Sequence, residues 1–483
     1  MSFSSANPSH TFIDLATFSE QEGFIYGGSD CVSYFVAAIQ KGNWFSFIPI
    51  ALRNNGTLDF GARNISSSIN RSGDYVMQLW FRAQIPQIEL VQENVATSIF
   101  NDATVRWTRN LMHNIFNRVS ISFNELVVQE FDNFWLDMNF QFRVRGSKRV
   151  GYRNMIGDIA AMTTPVGPNT ALGTGGFFSV PFPFWFGEDS GIALPVAALP
   201  FNDVKINYNF KRFEELIVVF PGTLATGGPG GPQTGRSATC NDVYVFGQQG
   251  QKPSLIDPTT FAHYAVVHND ERVKMGDAPR DMLIHQVQTT QNAPFKDISS
   301  RTTFDIRLSH SIVLFTFAAQ NVTLLEGQSG CGGEWSNYTT ETDYAGLDPI
   351  AFATLVYENT VRVSQGSDYY SLINPFFFST AIPDETGYHM YTYALLPWDP
   401  LKPTGSTNYS KLANVSISYD MSPAAQAAAG VNGPPTDQNG NVIQYPDSAG
   451  NLVDQTQRFR NIFLARNWNI ARVANGSLGH PTL

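Results

Sequence analysis

The sequence has 483 residues, of which 43% are hydrophobic and only 15% are charged, and its formal net charge is −10. This length accommodates two or three domains, and a charged fraction well below the usual level, together with 37 phenylalanines, predicts extensive cores or extensive contact with neighbouring subunits. The acidic balance, with no basic run longer than "SKR" at Ser147–Arg149, argues against direct nucleic-acid binding and disfavours an anionic membrane surface, because both need clustered cations.

The first predicted elements in chain order are strands. The opening "MSFSSANPSHTF" has no basic and no apolar region, so no secretory signal is expected. Val119–Phe123 alternates in the manner of a half-buried strand. Tyr75–Ile85 alternates likewise, and its predicted buried face consists of Met77, Leu79, Phe81, Ala83 and Ile85.

A helix is predicted next, beginning after Asn124. Asparagine is a favoured N-cap residue, and apolar residues then recur every three or four positions, which makes a single apolar stripe. The stripe consists of Val127, Phe131, Phe134, Trp135, Met138 and Phe142.

The stretch "FGEDSGIALP" carries the only faint signal for catalysis. Ser190 between acidic and glycine residues resembles a protease nucleophile, and Glu188 with Asp189 resembles a glycosidase carboxylate pair. Adjacent acids on an extended chain point to opposite sides, and no separate His and Asp motif accompanies the serine. A surface turn is the preferred interpretation.

Two patterns occur twice along the chain. Val204–Phe210 and Val415–Met421 share the same alternation and lie 211 residues apart. "SISFNELVV" at Ser120–Val128 resembles "TLVYENTVR" at Thr354–Arg362, with an offset of 234 residues between Phe123 and Tyr357. The same order at similar spacing favours an internal duplication. Further strands are expected in Thr303–Ser309 and Tyr388–Leu395, so the pattern predicts an all-β sandwich or barrel architecture.

The duplication also sets the expected domain boundary. The second copy has 64 residues after Tyr419, and a similar tail in the first copy places the junction within His268–Asp281. The predicted domains are therefore 1–272, with a Gly/Pro-rich surface loop at 221–239, and 273–483, with a surface loop at 430–454.

No catalytic, cofactor-binding or metal-binding residue is predicted. The three cysteines, Cys31, Cys240 and Cys331, are far apart, lack CxxC spacing and are not expected to form a disulfide framework, which favours maturation in a reducing compartment. The eight histidines form no HxH pair, and His113 and His389 are expected to be structural side chains with satisfied hydrogen bonds.

Several longer strings resemble the major capsid proteins of large icosahedral DNA viruses, in particular those of the iridovirus and marseillevirus group. The resemblance spans nearly the whole chain and departs in the loops at 163–176, 221–235 and 430–454. The strings are "FIDLAT" (Phe12–Thr17), "YGG" (Tyr26–Gly28), "RSGDY" (Arg71–Tyr75), "RWTRNLMHN" (Arg106–Asn114), "GYRNMIG" (Gly151–Gly157), "LPFND" (Leu199–Asp203), "YENT" (Tyr357–Thr360), "GSDYYSLINP" (Gly366–Pro375) and "GSTNYSKLANVS" (Gly405–Ser416).

The resemblance implies two consecutive eight-stranded antiparallel jelly rolls, with short helices in loops. It implies a non-enzymatic subunit that trimerises into a pseudo-hexagonal capsomer and contacts neighbouring capsomers, penton and minor capsid proteins. The virion shell would be assembled in the host cytoplasm around an inner membrane, which the subunit meets indirectly. The Gly/Pro loops would crown the capsomer, and the N-terminal segment would lie beneath it.

An alternative from a different class stays open on the residues alone. Eight tryptophans and a β-rich pattern also fit a two-domain sandwich that binds or cleaves carbohydrate. Trp80, Trp107 and Trp135 lie within strand or helix patterns, where core packing is the commoner use, so this remains the weaker hypothesis.

Overall fold

A computed structural model describes residues 8–29, 31–37, 39, 41–92, 100–220, 223–224, 238–277, 279–290, 294–295, 301–326, 332–446 and 452–480. The chain divides into two compact units, Met1–Trp44 and Phe45–Leu483. The first unit contains two short helices, α1 (Pro8–Ala16) and α2 (Glu20–Ile25), and α2 begins after a capping box between Ser19 and Glu22.

The second unit contains sixteen principal strands among its described residues. In chain order they are β1 (Phe45–Ala51), β2 (Ile65–Ser68), β3 (Tyr75–Gln84), β4 (Phe116–Phe123), β5 (Leu126–Phe131), β6 (Phe177–Pro181), β7 (Val204–Phe210), β8 (Ile256–Val267), β9 (Arg280–Thr289), β10 (Thr302–Asp305), β11 (Ser311–Asn321), β12 (Ile350–Tyr357), β13 (Thr360–Gly366), β14 (His389–Thr392), β15 (Val415–Met421) and β16 (Phe459–Ala474).

These strands form two sandwiches with identical topology. In the first, the sheets have the orders β1-β8-β3-β6 and β2-β7-β4-β5, and in the second β9-β16-β11-β14 and β10-β15-β12-β13, all antiparallel. Numbered within each sandwich, both read 1-8-3-6 and 2-7-4-5, the arrangement of an eight-stranded jelly roll. The predicted fold class of two consecutive jelly rolls is confirmed.

The repeated sequence patterns occupy equivalent places in the two sandwiches. Val204 pairs with Phe123 in the first, and Val415 pairs with Tyr357 in the second. The tight turn after each aromatic residue begins with a left-handed residue, Asn124 (φ 56°) or Glu358 (φ 46°). The duplication inferred from these strings is therefore visible in the strand register.

Two strands of the first sandwich show how far the predicted alternation of buried residues holds. On β7 every second residue from Val204 to Phe210 is buried, as the sequence predicts. On β3 the prediction holds for Leu79, Phe81 and Ala83, but Val76 is buried in place of Met77. The register between β3 and β8 shifts near Val76, and a β-bulge of this kind reverses which residues face inward.

The helices of the second unit lie in the connections between strands. They are α3 (Leu111–Asn114), α4 (Asn133–Arg143), α5 (Gly146–Ile156), α6 (Ala160–Thr163), α7 (Asn269–Asp277), α8 (Thr323–Glu326), α9 (Asn374–Phe378), preceded by a π-helical turn at Tyr369–Ile373, and α10 (Pro423–Ala428). Shorter strands occupy Arg53–Asn55, Ile88–Leu90, Phe100–Asn101, Thr104–Trp107, Ile217–Phe220, Thr223–Leu224, Val243–Val245, Pro294–Phe295, Thr407–Asn408, Gln444–Pro446, Leu452–Asp454 and Ser477–Gly479.

The helix predicted from Asn124 is wrong in its first turns. Asn124 lies in the turn between β4 and β5, and Val127 pairs with Ser122 across that hairpin. The helix begins only at Asn133, where the side chain of Asp132 accepts a hydrogen bond from the backbone N–H of Trp135. The apolar residues of β5 happened to continue the spacing of α4, so one periodic stripe covered two elements.

The connection between the sandwiches is α7, a polar helix that follows β8 and precedes β9. The predicted surface loop at 430–454 contains the hairpin of Gln444–Pro446 with Leu452–Asp454. Most of the predicted loop at 221–239, including 225–237, lies outside the described residues.

Candidate functional site

Of the three residues 188–190 that faintly resembled a catalytic motif, Glu188 lies in a cluster of ion pairs. The Glu188 side chain is only 6% exposed, so the expected surface turn is wrong for this residue. The neighbouring Asp189 accepts a hydrogen bond from the backbone N–H of Gly191 at 2.7 Å, as the cap of a short turn. Ser190 is exposed at the start of that turn.

Glu188 is held by side chains from both sandwiches. Arg143 Nη1 of the first sandwich lies 2.9 Å from one carboxylate oxygen, and Arg466 Nη2 of the second lies 2.6 Å from the other. His285 Nδ1 lies 3.3 Å from the latter oxygen and also contacts Arg466. Burial alone raises the pKa of Glu188, but the two guanidinium groups outweigh it and lower that pKa to about 2. The carboxylate is therefore ionised and joins the sandwiches.

A second cluster makes the same kind of connection. Glu385 of the second sandwich lies 2.6 Å from Arg109 Nη2 and 2.7 Å from Arg153 Nη2 of the first. Arg109 also pairs with Asp158 at 3.2 Å. Burial raises the pKa of Glu385, while the two arginines act in the opposite direction. Arg106 of the same run pairs with the buried Glu334.

A buried polar network lies beside these pairs. Both nitrogens of His113 are bonded, Nδ1 to Asp137 at 2.7 Å and Nε2 to the Tyr152 hydroxyl at 2.9 Å. Ser336 of the second sandwich donates to Asp137 and accepts from Asn114 Nδ2 at 2.9 Å. The prediction that His113 is a satisfied structural side chain is confirmed.

His389 is buried like His113, but only one of its ring nitrogens has a hydrogen-bond partner, and Nδ1 is left without one among the described residues. Its Nε2 lies 2.9 Å from Asp348 Oδ2, and its ring stacks on Phe317 with centroids 4.9 Å apart. The prediction is therefore right in placing His389 as a buried, packed side chain but wrong in expecting its hydrogen bonds to be satisfied. The string "RWTRNLMHN" thus carries much of the contact between the sandwiches, a role that sequence reasoning missed.

The apolar part of the same interface comes from one outer sheet face. On β11, Phe315 and Phe317 point into the second sandwich, whereas Leu314 and Ala318 point outward and join the hydrophobic core of the first. Leu464 on β16 does the same. The β9-β16-β11-β14 sheet is thus covered on both faces within one chain.

Other apolar side chains of the described chain remain exposed. They are concentrated in the N-terminal unit, on β1 and in two segments of the second sandwich, and such patches mark contacts with other molecules. They include Phe12, Leu15, Phe18, Phe24, Tyr34 and Phe35 in the N-terminal unit, Phe45 and Phe47 on β1, and Leu372, Phe376, Phe377, Leu395, Leu396 and Leu401 in the second sandwich.

Metal ligands, membrane-spanning helices and cysteine pairing can be stated for the described residues. In that part of the chain, His, Cys, Asp and Glu side chains form no group of three or more that could hold a metal ion. Of the helices described, none is both long and apolar enough to cross a membrane. Cys31 is free and exposed, but Cys240 is disulfide-bonded, a bond that the expectation of no disulfide framework did not foresee. Cys331 lies outside the described residues.

The chain matches two family models in succession. One, for the N-terminus of a major capsid protein, covers residues 33–246, and the other, for a large eukaryotic DNA virus major capsid protein, covers residues 271–479. The major capsid proteins of Costelytra zealandica iridescent virus and Tipula iridescent virus are 41% and 42% identical to it. They cover 100% and 99% of this chain, and 100% and 98% of their own lengths are matched.

Solved structures agree on the fold. The PBCV-1 virus capsid has a TM-score of 0.65 at 18% identity, covering 93% of this chain and 100% of that one. The Faustovirus major capsid protein has a TM-score of 0.63 at 13% identity, covering 92% and 93%. The relatives are structural proteins, so the carbohydrate-cleaving alternative is wrong. Three findings lead to the same family: the two matching family models, the identity of about 41% over the full length, and the paired jelly rolls. The chain belongs to the major capsid protein family of large eukaryotic DNA viruses, which forms the capsid of the virion.

Proposed function

We propose that three copies of this chain form a capsomer of pseudo-hexagonal outline, which tiles the outer shell of an icosahedral capsid around an inner membrane. The observation that carries the proposal is the shared strand order of the two sandwiches, 1-8-3-6 and 2-7-4-5 in both. Three chains supply six nearly equivalent walls, and a closed threefold ring is a common solution for a head-to-tail contact.

The domain boundary near residue 272 belongs to the same proposal. One domain comprises 1–272, including the N-terminal segment, and the other comprises 273–483. Two observations support this division: α7 lies between the last strand of the first sandwich and the first strand of the second, and the two family models match residues 33–246 and 271–479.

The partners follow from the distribution of surface types. The exposed apolar side chains of the N-terminal unit fit a contact beneath the capsomer with minor capsid and penton proteins. We assign the crown to the Gly/Pro-rich loop at 221–239, most of which lies outside the described residues, and to the loop at 430–454. A net charge of −10 disfavours direct contact with the genome. Assembly, in this proposal, takes place in the host cytoplasm.

Molar mass in solution tests the trimer. Size-exclusion chromatography with light scattering is expected to give three times the 53.4 kDa of the chain, at protein concentrations that span two orders of magnitude. A mass equal to that of one chain throughout this range contradicts the proposal. In a reconstruction of assembled particles, the hairpin at 444–454 is expected on the outer surface, and its location at the base contradicts the assigned orientation.

A further inference from the structure

The contact between the two sandwiches of one chain provides a template for a contact between chains. It has two sides. The second sandwich contributes the outer face of its β9-β16-β11-β14 sheet, and the first contributes the two connections that follow its fifth and sixth strands. Arg460 on β16 lies over the ring of Phe134 in α4, 5.7 Å from its centroid, and Arg466 on β16 binds Glu188 in the connection after β6.

The first sandwich has an equivalent outer sheet face, and some of its described side chains are exposed. Trp80 on β3 stacks on Phe261 of β8 with centroids 5.4 Å apart, and His263 packs edge-on against Trp80. Pro49 pairs with His263, and two positions before it Phe47 is 54% exposed. The corresponding face of the second sandwich contributes to a hydrophobic core.

This outer face forms one side of an open groove of about 1020 Å³. Trp80, Pro181 and His263 line it from the sheet, and the exposed Arg145 and Lys148 line it from the other side. An apolar sheet face with a basic margin suits an apolar insert that carries an acidic residue.

The second sandwich has the two connections equivalent to those that cover the sheet within the chain. In the first sandwich the apolar side chains of α4, including Phe134 and Phe140, are buried. In the second, the helical segment after β13 leaves Phe376 64% and Phe377 68% exposed. The connection after β14 exposes Leu395, Leu396 and Leu401, and the only charged residue in 368–378 is Asp368.

We propose that the outer face of the β1-β8-β3-β6 sheet of one copy receives segments 368–378 and 395–401 of a neighbouring copy. The contact between chains then repeats the contact within the chain. It is head-to-tail, because the two surfaces differ, and repetition around a ring closes it. This inference rests on the proposed trimer and goes further by assigning the two surfaces that meet.

Photo-crosslinking of the full chain tests this assignment. With p-benzoylphenylalanine in place of Phe377, irradiation is expected to produce covalent dimers and trimers on a denaturing gel. Mass spectrometry of the dimer band should join residue 377 to peptides from 45–51, 78–82 or 259–265. The same probe in place of Leu452, which is 60% exposed in the hairpin at 444–454, should leave single chains.

The outcomes separate the two proposals. If the mass in solution is that of a single chain, the proposed trimer fails. If the trimer forms but crosslinks from residue 377 between chains join other peptides, or are absent, the trimer stands and the assignment of surfaces is overturned.

Matched substitutions provide an independent measurement. The double change Phe376→Ser and Phe377→Ser is expected to shift the protein from three-chain to one-chain mass, with an unchanged circular dichroism spectrum because both side chains are exposed in the single chain. The control, Leu452→Ser with Val453→Ser, is expected to remain trimeric. A Phe376/Phe377 variant that remains trimeric contradicts the assignment.

Discussion

Glu188 shows how a single side chain can join two domains. Its carboxylate lies between Arg143 and Arg466, which come from different sandwiches, and its side chain is 6% exposed. Charges withdrawn from water depend strongly on their partners. If the carboxylate were neutral, the guanidinium groups of Arg143 and Arg466 would lose the negative charge that compensates for their partial removal from water.

We expect Glu188→Gln to lower the free energy of unfolding by about 3–5 kcal/mol, because it leaves the buried guanidinium group of Arg466 and the partly buried one of Arg143 without a compensating charge. Chemical denaturation followed by tryptophan fluorescence measures the change. Glu130→Gln is the control, since Glu130 forms an exposed pair with Arg118, and a loss of only about 0–1 kcal/mol is expected there. Equal losses in the two variants contradict the role assigned to Glu188.

The sequence could not reveal this role for a physical reason. Glu188 and Arg466 are 278 positions apart, and two adjacent acidic residues between glycines look like part of a surface turn. His113 was predictable as a structural side chain because the eight histidines form no HxH pair that could hold a metal ion. The pairing partners of Arg106 and Arg109 carry no local signal, since they come from segments brought together only by the complete fold.

The tight hairpin between β4 and β5 is the clearest duplicated element. The backbone N–H of Asn124 donates to the carbonyl of Asp203 at 2.8 Å, and its side-chain oxygen accepts from the N–H of Asp203 at 2.7 Å. In the second sandwich, Glu358 makes the same pair of bonds with Asn414, at 2.9 and 3.1 Å. Each hairpin is thereby attached to the residue that precedes the central strand.

We expect Asn124→Ala to destabilise the protein by roughly 2 kcal/mol, since alanine is disfavoured at φ 56° and cannot replace the side-chain hydrogen bond. Asn124→Gly restores the backbone freedom but not the bond, so its loss should be about half as large. The denaturation midpoints of the two variants check this order. An alanine variant as stable as the glycine variant contradicts it.

At the scale of elements, the alternation of apolar and polar residues predicted strands more accurately than the three-to-four-residue spacing predicted the helix. β7 and β15 were identified from spacing alone, because one face of each packs on a core and the other does not. The helix prediction failed at Asn124 because β5 and α4 both bury apolar residues, and their spacings ran together. The bulge that buries Val76 instead of Met77 has no signature in the letters of β3.

The N-terminal unit has a different character from the rest of the chain. α2 has no buried residue, and Phe24 is 95% and Phe35 99% exposed. Side chains of this kind gain little from folding of the isolated chain and much from a partner that covers them.

We therefore expect a chain that starts at Phe45 to retain the melting temperature of the full chain and to remain soluble at higher concentration. Differential scanning fluorimetry and light scattering measure the two effects. A substantially lower melting temperature in the shortened chain contradicts the view that this unit contributes to binding rather than to stability.

Both sandwiches are parts of one translation product, because α7 links β8 to β9. Every completed polypeptide delivers the two kinds of wall in equal numbers, whatever the rate of synthesis. A shell built from separate genes for each wall would have to balance their expression and sort them during growth. Here that ratio is fixed by the reading frame.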